Sequence, residues 1–300
     1  MTDPVLAVIE EAARTPSPRV LALTEAIRAR HPEGSIAGFL FYGSGLREAD
    51  DPTKMLDLYV IAESYRAFHG SRMKAALNAA LPPNVFQLEA AGPDGAPIRS
   101  KYAVLSMAAY ERRVAEAFES TFWGRFAQSV DVVDASDTEA EARLRAGLAQ
   151  SVRTFAREAQ SLSAPHATAL SFWTEALAAS YRTELRAEDA RPRAESIVRA
   201  DLPRYQALTT ALYGPPDAGG LHDIPTGPNR WPLRRFLGKP MTVLRILKAA
   251  FTFDGGADYA LAKLEAHSGV RLEITDSQRR HPVLWSPVLL WKVLRSGAWR

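Results

Sequence analysis

A glycine–serine–glycine turn, Gly43-Ser44-Gly45, and a lone acid, Asp57, are the residues whose types and spacing point to chemistry. The turn follows a short apolar run, Ile36 to Tyr42, and Asp57 sits inside a second, Met55 to Ala62. Glycines let backbone N–H groups approach a phosphate chain closely, and the Ser44 hydroxyl adds a donor. A carboxylate within an apolar strand is costly to bury unless paired or metal-bound. On a neighbouring strand it suits Mg2+ bridging the phosphates of a triphosphate. The same residues also fit a plain turn and an edge-strand aspartate facing solvent. Positions two away from Asp57, Met55 and Tyr59, carry no second acid. A second metal ligand must then come from Asp50, Asp51, Glu89 or Glu184.

The elements that would position these residues follow from periodicity and breakers. Residues 4–14 and 18–31 have helical spacing, punctuated by Pro16 and Pro18. The runs at 36–42 and 55–62 are too short for free helices and read as buried strands. Ser64 to Leu81 reads as one helix ended by Pro82-Pro83. Asn84 to Ala90 and Ile98 to Ser106 read as strands around the turn signal Gly92-Pro93-Asp94-Gly95. From Met107 to Tyr213 the pattern is mostly helical, with Asp134 to Asp137 as break and cap before a long helix over 138–160. Pro- and Gly-rich stretches at 213–220 and 225–232 predict a linker, and helices are expected over 241–251 and 257–267. These readings predict an α+β chain. Residues 1–110 form an α/β domain with N-terminal helices, 111–220 a helical domain, and 221–300 a basic C-terminal region.

Composition narrows the partners. The 300 residues contain no cysteine, which excludes disulfides and thiolate metal sites. No apolar stretch approaches the length of a membrane span, and the start lacks the order of a secretion signal, so a cytoplasmic location is expected. The net charge is +3, but residues 221–300 hold 13 Lys and Arg against 6 Asp and Glu, and the rest 24 against 28. A basic C-terminal part suits an anionic partner or is a solvated face. The Trp- and Leu-rich tail over 282–299, with interspersed Lys and Arg, has the composition of an interfacial anchor, or of a helix docked on the core.

Further residues qualify as ligands. Lys101 opens an apolar strand segment, where a cation contacts a phosphate or reaches solvent from a strand end. Tyr102 stacks, donates a hydrogen bond, or belongs to the core. Glu184 and Arg186 are two apart and share a cleft only at a helix end or turn; a salt-bridged surface is the other reading. His69 reads as a capping or core histidine, and the remaining histidines show no metal-ligand spacing.

At this point a resemblance becomes specific. Phe41-Tyr42-Gly43-Ser44-Gly45 with Lys54-Met55-Leu56-Asp57-Leu58-Tyr59-Val60 resembles the first motif of the mitochondrial-type CDP-diacylglycerol synthases, which also carry a single acid in that strand. Phe68-His69 resembles a Trp-His pair of that family. Lys101-Tyr102-Ala103-Val104-Leu105-Ser106 resembles its Lys-Tyr-Gly-Val-Ile-Ser motif. Ser180 to Arg186 (SYRTELR) resembles Ser-Tyr-x-Gly-Asp-Phe-Arg, Ser196-Ile197-Val198 an Asn-Ile-Val, and Lys248 to Thr252 a Lys-Gly-x-x-Thr-Ala-Gly run. The matches keep family order over residues 36–270. Arg72 and Ala76 stand where asparagines are usual, Thr183-Glu184 replaces Gly-Asp, and the Thr-Ala-Gly run is largely lost.

The resemblance implies a polymerase-β-like nucleotidyltransferase fold. It implies transfer of CMP from CTP to phosphatidic acid, with Mg2+ (or Mn2+ or Co2+ in its place), by a protein peripheral to the inner membrane face. Gly43, Ser44, Gly45 and Tyr102 would hold CTP, Asp57 the metal, and Lys101, Glu184 and Arg186 would act on the reacting phosphates. Neither nucleic acid nor an obligate protein partner is implied. Two other readings stay open: a soluble nucleotidyltransferase modifying a small molecule, protein or RNA end, and a non-catalytic nucleotide- or lipid-binding protein.

Overall fold

The computed structural model describes residues 3–46, 51, 54–184, 188–249, 275, 277 and 288. Two short helices lead, α1 (Pro4–Glu11) and α2 (Pro18–Arg28), each opening on a proline whose missing N–H costs nothing there. The Asp3 carboxylate caps α1 by accepting from the Val5 and Leu6 amides at 3.1 and 3.4 Å.

The two apolar runs form adjacent strands, β1 (Ile36–Tyr42) and β2 (Leu56–Ala62), paired antiparallel with Tyr42 opposite Asp57. The single helix expected over 64–81 is broken into α3 (Tyr65–His69) and α4 (Arg72–Ala80), because Gly70 ends the first with φ +62° and Ser71 caps the second. Then come β3 (Asn84–Ala91) and β4 (Pro97–Ser106), joined by a tight turn in which the Gly92 amide donates to the Ala96 carbonyl at 2.7 Å. β4 runs parallel to β2, with Asp57 beside Lys101 in register.

After α5 (Met107–Glu116) and the one-turn α6 (Trp123–Phe126), residues Val130–Ala135 form β5, where a mostly helical pattern was expected. β5 pairs with β1 and completes a five-stranded mixed sheet in the order β3-β4-β2-β1-β5. Six residues with two aspartates carry too little alternation to announce a strand; the open edge of β1 recruits it. The sheet therefore draws on residues from both sides of position 110.

The long helix α7 (Thr138–Ala159) starts where its cap was expected, with Asp137 accepting from the Ala140 amide at 2.7 Å. Then follow β6 (His166–Ala167), α8 (Ala169–Arg182), α9 (Ala190–Ala200), α10 (Leu202–Tyr213), β7 (His222–Asp223) and α11 (Trp231–Ala249). β6 and β7 pair as a separate two-stranded ribbon. The second expected linker ends early, because Trp231 starts α11 and is buried against Trp123, with ring centroids 5.9 Å apart. The expected helix over 257–267 and the tail over 282–300 fall outside the described residues, Val288 apart.

The two faces of the sheet carry different cores. On one, Phe39, Phe41, Leu58, Val60 and Val104 pack under α2 and α3. On the other, Leu40, Tyr59, Ile61, Ala103 and Leu105 belong to a core shared with α1 and the helices from α5 onwards. Strand alternation assigns Asp57 and Lys101 to the second face and Tyr102 to the first. Among the described residues, no helix is long and apolar enough to cross a membrane.

Candidate active site

Gly43 leaves the end of β1 with φ +87°, a conformation L side chains rarely adopt, and residues 44–46 then make one 3-10 turn. This kink lays the backbone against the next strand. A Cβ on Gly43 would sit 3.3 Å from Asp57 Oδ2, so the carboxylate faces the turn across bare backbone. Gly45 is explained by packing: a Cβ there would press on the Phe41 ring at 3.2 Å and on Leu56 at 3.3 Å. The Ser44 side chain lies outside the described residues.

Gly43 and Asp57 open onto a cavity of ≈ 300 Å³ whose other walls come from α6, α8, α9 and the ends of α1 and β1. Three arginines line it: Arg14, Arg125 and Arg193. Arg125 Nε and Arg193 Nε are buried without a hydrogen-bond partner among the described residues, although Arg193 Nε lies 3.7 Å from Glu188 Oε2 in an ion pair. Such donors are costly to bury unless an acceptor arrives. Burial opposes the Arg125 charge, but Tyr42, Tyr59 and Glu184 around it outweigh that and hold its pKa above the ordinary arginine value. The Arg125 guanidinium lies 5.3 Å from the Tyr42 ring centre and 3.7 Å from Glu184 Oε1. Burial pushes the Tyr42 hydroxyl well above the ordinary tyrosine pKa, so it stays a neutral donor at physiological pH.

Tyr181, Gln128 and Asp201 complete the polar rim. The Tyr181 hydroxyl donates to Gln128 Oε1 at 3.1 Å, and Ser129 Oγ donates to Asp201 Oδ2 at 2.5 Å. The arrangement suits a polyanion: three cations and an aromatic wall converge, with one carboxylate placed beside the phosphate-sized turn.

The site residues expected from sequence divide as follows. Gly43 and Asp57 share the cavity wall. Lys101 is half-buried on the same sheet face, one strand from Asp57, but does not line the cavity. Glu184 stands behind Arg125, past the end of α8, and acts through that ion pair. Tyr102 is corrected: it points to the opposite face, where it stacks on Phe86 at 5.3 Å, because it is the odd neighbour of Lys101 in an alternating strand. Arg186 and Asp50 fall outside the described residues. Glu89 is exposed on edge strand β3, two strands from Asp57. Sequence reasoning missed Arg14, Arg125 and Arg193. The available signal for Arg125 was a single cation inside Phe122-Trp123-Gly124-Arg125-Phe126; Arg193 sits near the start of charged α9 and Arg14 in the segment between α1 and α2.

Gly43→Ala is expected to lower nucleotide affinity about tenfold, since a methyl group would crowd Asp57 and strain the turn. Isothermal titration with CTP and Mg2+ checks this, and unchanged affinity would remove the turn from the site. No protein-family model and no curated protein sequence matches this chain.

Proposed function

We propose that the protein is a nucleotidyltransferase of the polymerase-β-like kind, transferring CMP from CTP to phosphatidic acid at a membrane surface. The observation that carries the nucleotidyl part is the Asp57 carboxylate facing the Gly43 kink inside a cavity with three guanidiniums. The acceptor rests on the ordered motifs that resemble the CDP-diacylglycerol synthases. Arg125, with a spare N–H donor, binds and orients the triphosphate, and Arg193, paired with Glu188 at 3.7 Å, adds positive charge to the wall. The Gly43 backbone approaches the phosphates, and the neutral Tyr42 hydroxyl is a donor in the wall.

Among the described residues no cluster of three acids or histidines forms a protein-only metal cage. Asp57 fits Mg2+ of the kind that takes one or two carboxylates and completes its shell with phosphate oxygens and water. When bound there, the ion supplies charge neutralisation at the reacting phosphates. A phosphate oxygen of phosphatidic acid attacks the α-phosphorus of CTP, the bond to the β-phosphate oxygen breaks, and pyrophosphate leaves. Positioning and charge stabilisation carry the rate, without a covalent enzyme intermediate.

The decisive assay incubates the protein with labelled CTP, Mg2+ and phosphatidic acid vesicles. CDP-diacylglycerol and pyrophosphate are the expected products; their absence across pH and metal conditions defeats the acceptor assignment. In that assay Arg125→Met is expected to lower kcat/KM about a hundredfold, the size of losing one preorganised donor at developing charge. Glu184→Gln spares the guanidinium and should lower it far less.

A further inference from the structure

We propose that a cavity on the opposite face of the sheet, between the end of α2, α3–α4 and β3, is a second ligand site that takes a planar aromatic ring bearing an anionic group. The cavity holds ≈ 320 Å³, the small end of the range for ligand pockets. Its walls are rings. His31 stacks on Phe68 with centroids 3.8 Å apart, and Phe86 lies 6.3 Å from His69 and 5.3 Å from Tyr102. His31, Phe68, His69 and Phe86 give the cavity an aromatic wall on which a flat ligand can lie.

Polar groups occupy the same walls. His69 Nε2 is buried and has no hydrogen-bond partner among the described residues. His31 Nε2 is tied to the Tyr102 hydroxyl at 3.3 Å, so the two imidazoles are not equivalent. Burial first, with neighbouring cations adding to it, holds both histidines below the ordinary imidazole value, against the opposing pull of the Asn78 side chain at His69 and the Phe68 backbone at His31. A neutral His69 ring keeps one N–H to donate without carrying charge into the cavity. The charge that attracts an anion comes from Arg30 and Lys74, both exposed at the mouth. Rings inside, one orphaned imidazole nitrogen in the wall and cations at the rim match a ring that enters first and an anion that stays near the mouth.

This site is independent of the Asp57 cavity. None of its lining residues belongs to the first cavity, and the β-sheet separates the two.

The test is a titration of the full chain with phenyl phosphate and, separately, CMP, followed by the side-chain NMR resonances of His31 and His69. Cytidine and inorganic phosphate are the one-feature controls. Phenyl phosphate or CMP is expected to shift both histidines at lower concentration than either control; which of the two binds tighter separates an aromatic phosphate from a nucleotide. Lys74→Ala, an exposed change that spares the fold, should weaken that binding about tenfold. Arg125→Met should leave it unchanged, even where it abolishes nucleotide binding at the first cavity. The proposal is overturned by unshifted histidines at millimolar probe, by inorganic phosphate acting as strongly as phenyl phosphate, or by a response that Arg125→Met removes and Lys74→Ala does not.

Discussion

Asp57→Asn is expected to cut nucleotidyl transfer about a thousandfold, a loss of ~4 kcal/mol of transition-state stabilisation. Asparagine keeps the shape of the side chain beside Gly43 but removes its charge. A half-buried amide at the start of β2 should hardly disturb the strand, so thermal unfolding stays close to the parent's. The measurement is product formation from CTP and phosphatidic acid at saturating Mg2+, with the unfolding midpoint as control. Retained activity at a tenth of the parent rate or more would show that Asp57 is not the metal-holding carboxylate. The nucleotidyltransferase reading would then lose its main support.

Glu158→Ala should produce the largest loss of stability, about 3–5 kcal/mol. Glu158 accepts from Arg234 Nη2 at 2.6 Å, and both side chains are nearly excluded from water. Arg234 also donates to the Phe118 carbonyl at 2.7 Å and lies over the Trp123 and Trp231 rings. Removing the carboxylate strands a cation in an aromatic shell, which costs far more than the pair itself contributes. The pair also pins α11 to α7, next to the Trp231 indole that donates to the Glu158 carbonyl at 2.8 Å. Urea unfolding measures the loss. The double variant Glu158→Leu/Arg234→Met should recover most of it, because neither charge is then buried alone. A single variant as stable as the parent would mean that water reaches Arg234.

Much of the layout was legible in the chain. The runs at 36–42 and 56–62, the Asp137 cap and the Gly92 turn appear where local pattern puts them. The same holds for the facing of Gly43 and Asp57, since pairing two consecutive strands antiparallel places the end of one beside the start of the next. The misses have a common character. β5 exists because β1 has an edge to fill, and α11 starts at Trp231 because its indole finds a pocket beside Trp123 and Glu158. Neither cause is present within the segments themselves.

Local sequence was enough to specify the α+β character, the glycine kink at the end of β1 and a carboxylate on the neighbouring strand, because backbone conformation and strand alternation are properties of a few adjacent residues. Which cations share a cavity with that carboxylate was settled by packing. Arg125 and Arg193 come from α6 and α9, Arg14 from the segment after α1, and the three converge only when these parts of the chain close over one face of the sheet. The same folding put Tyr102 on the other face, among His31, Phe68 and Phe86, where a one-residue step along a strand reverses the direction of the side chain.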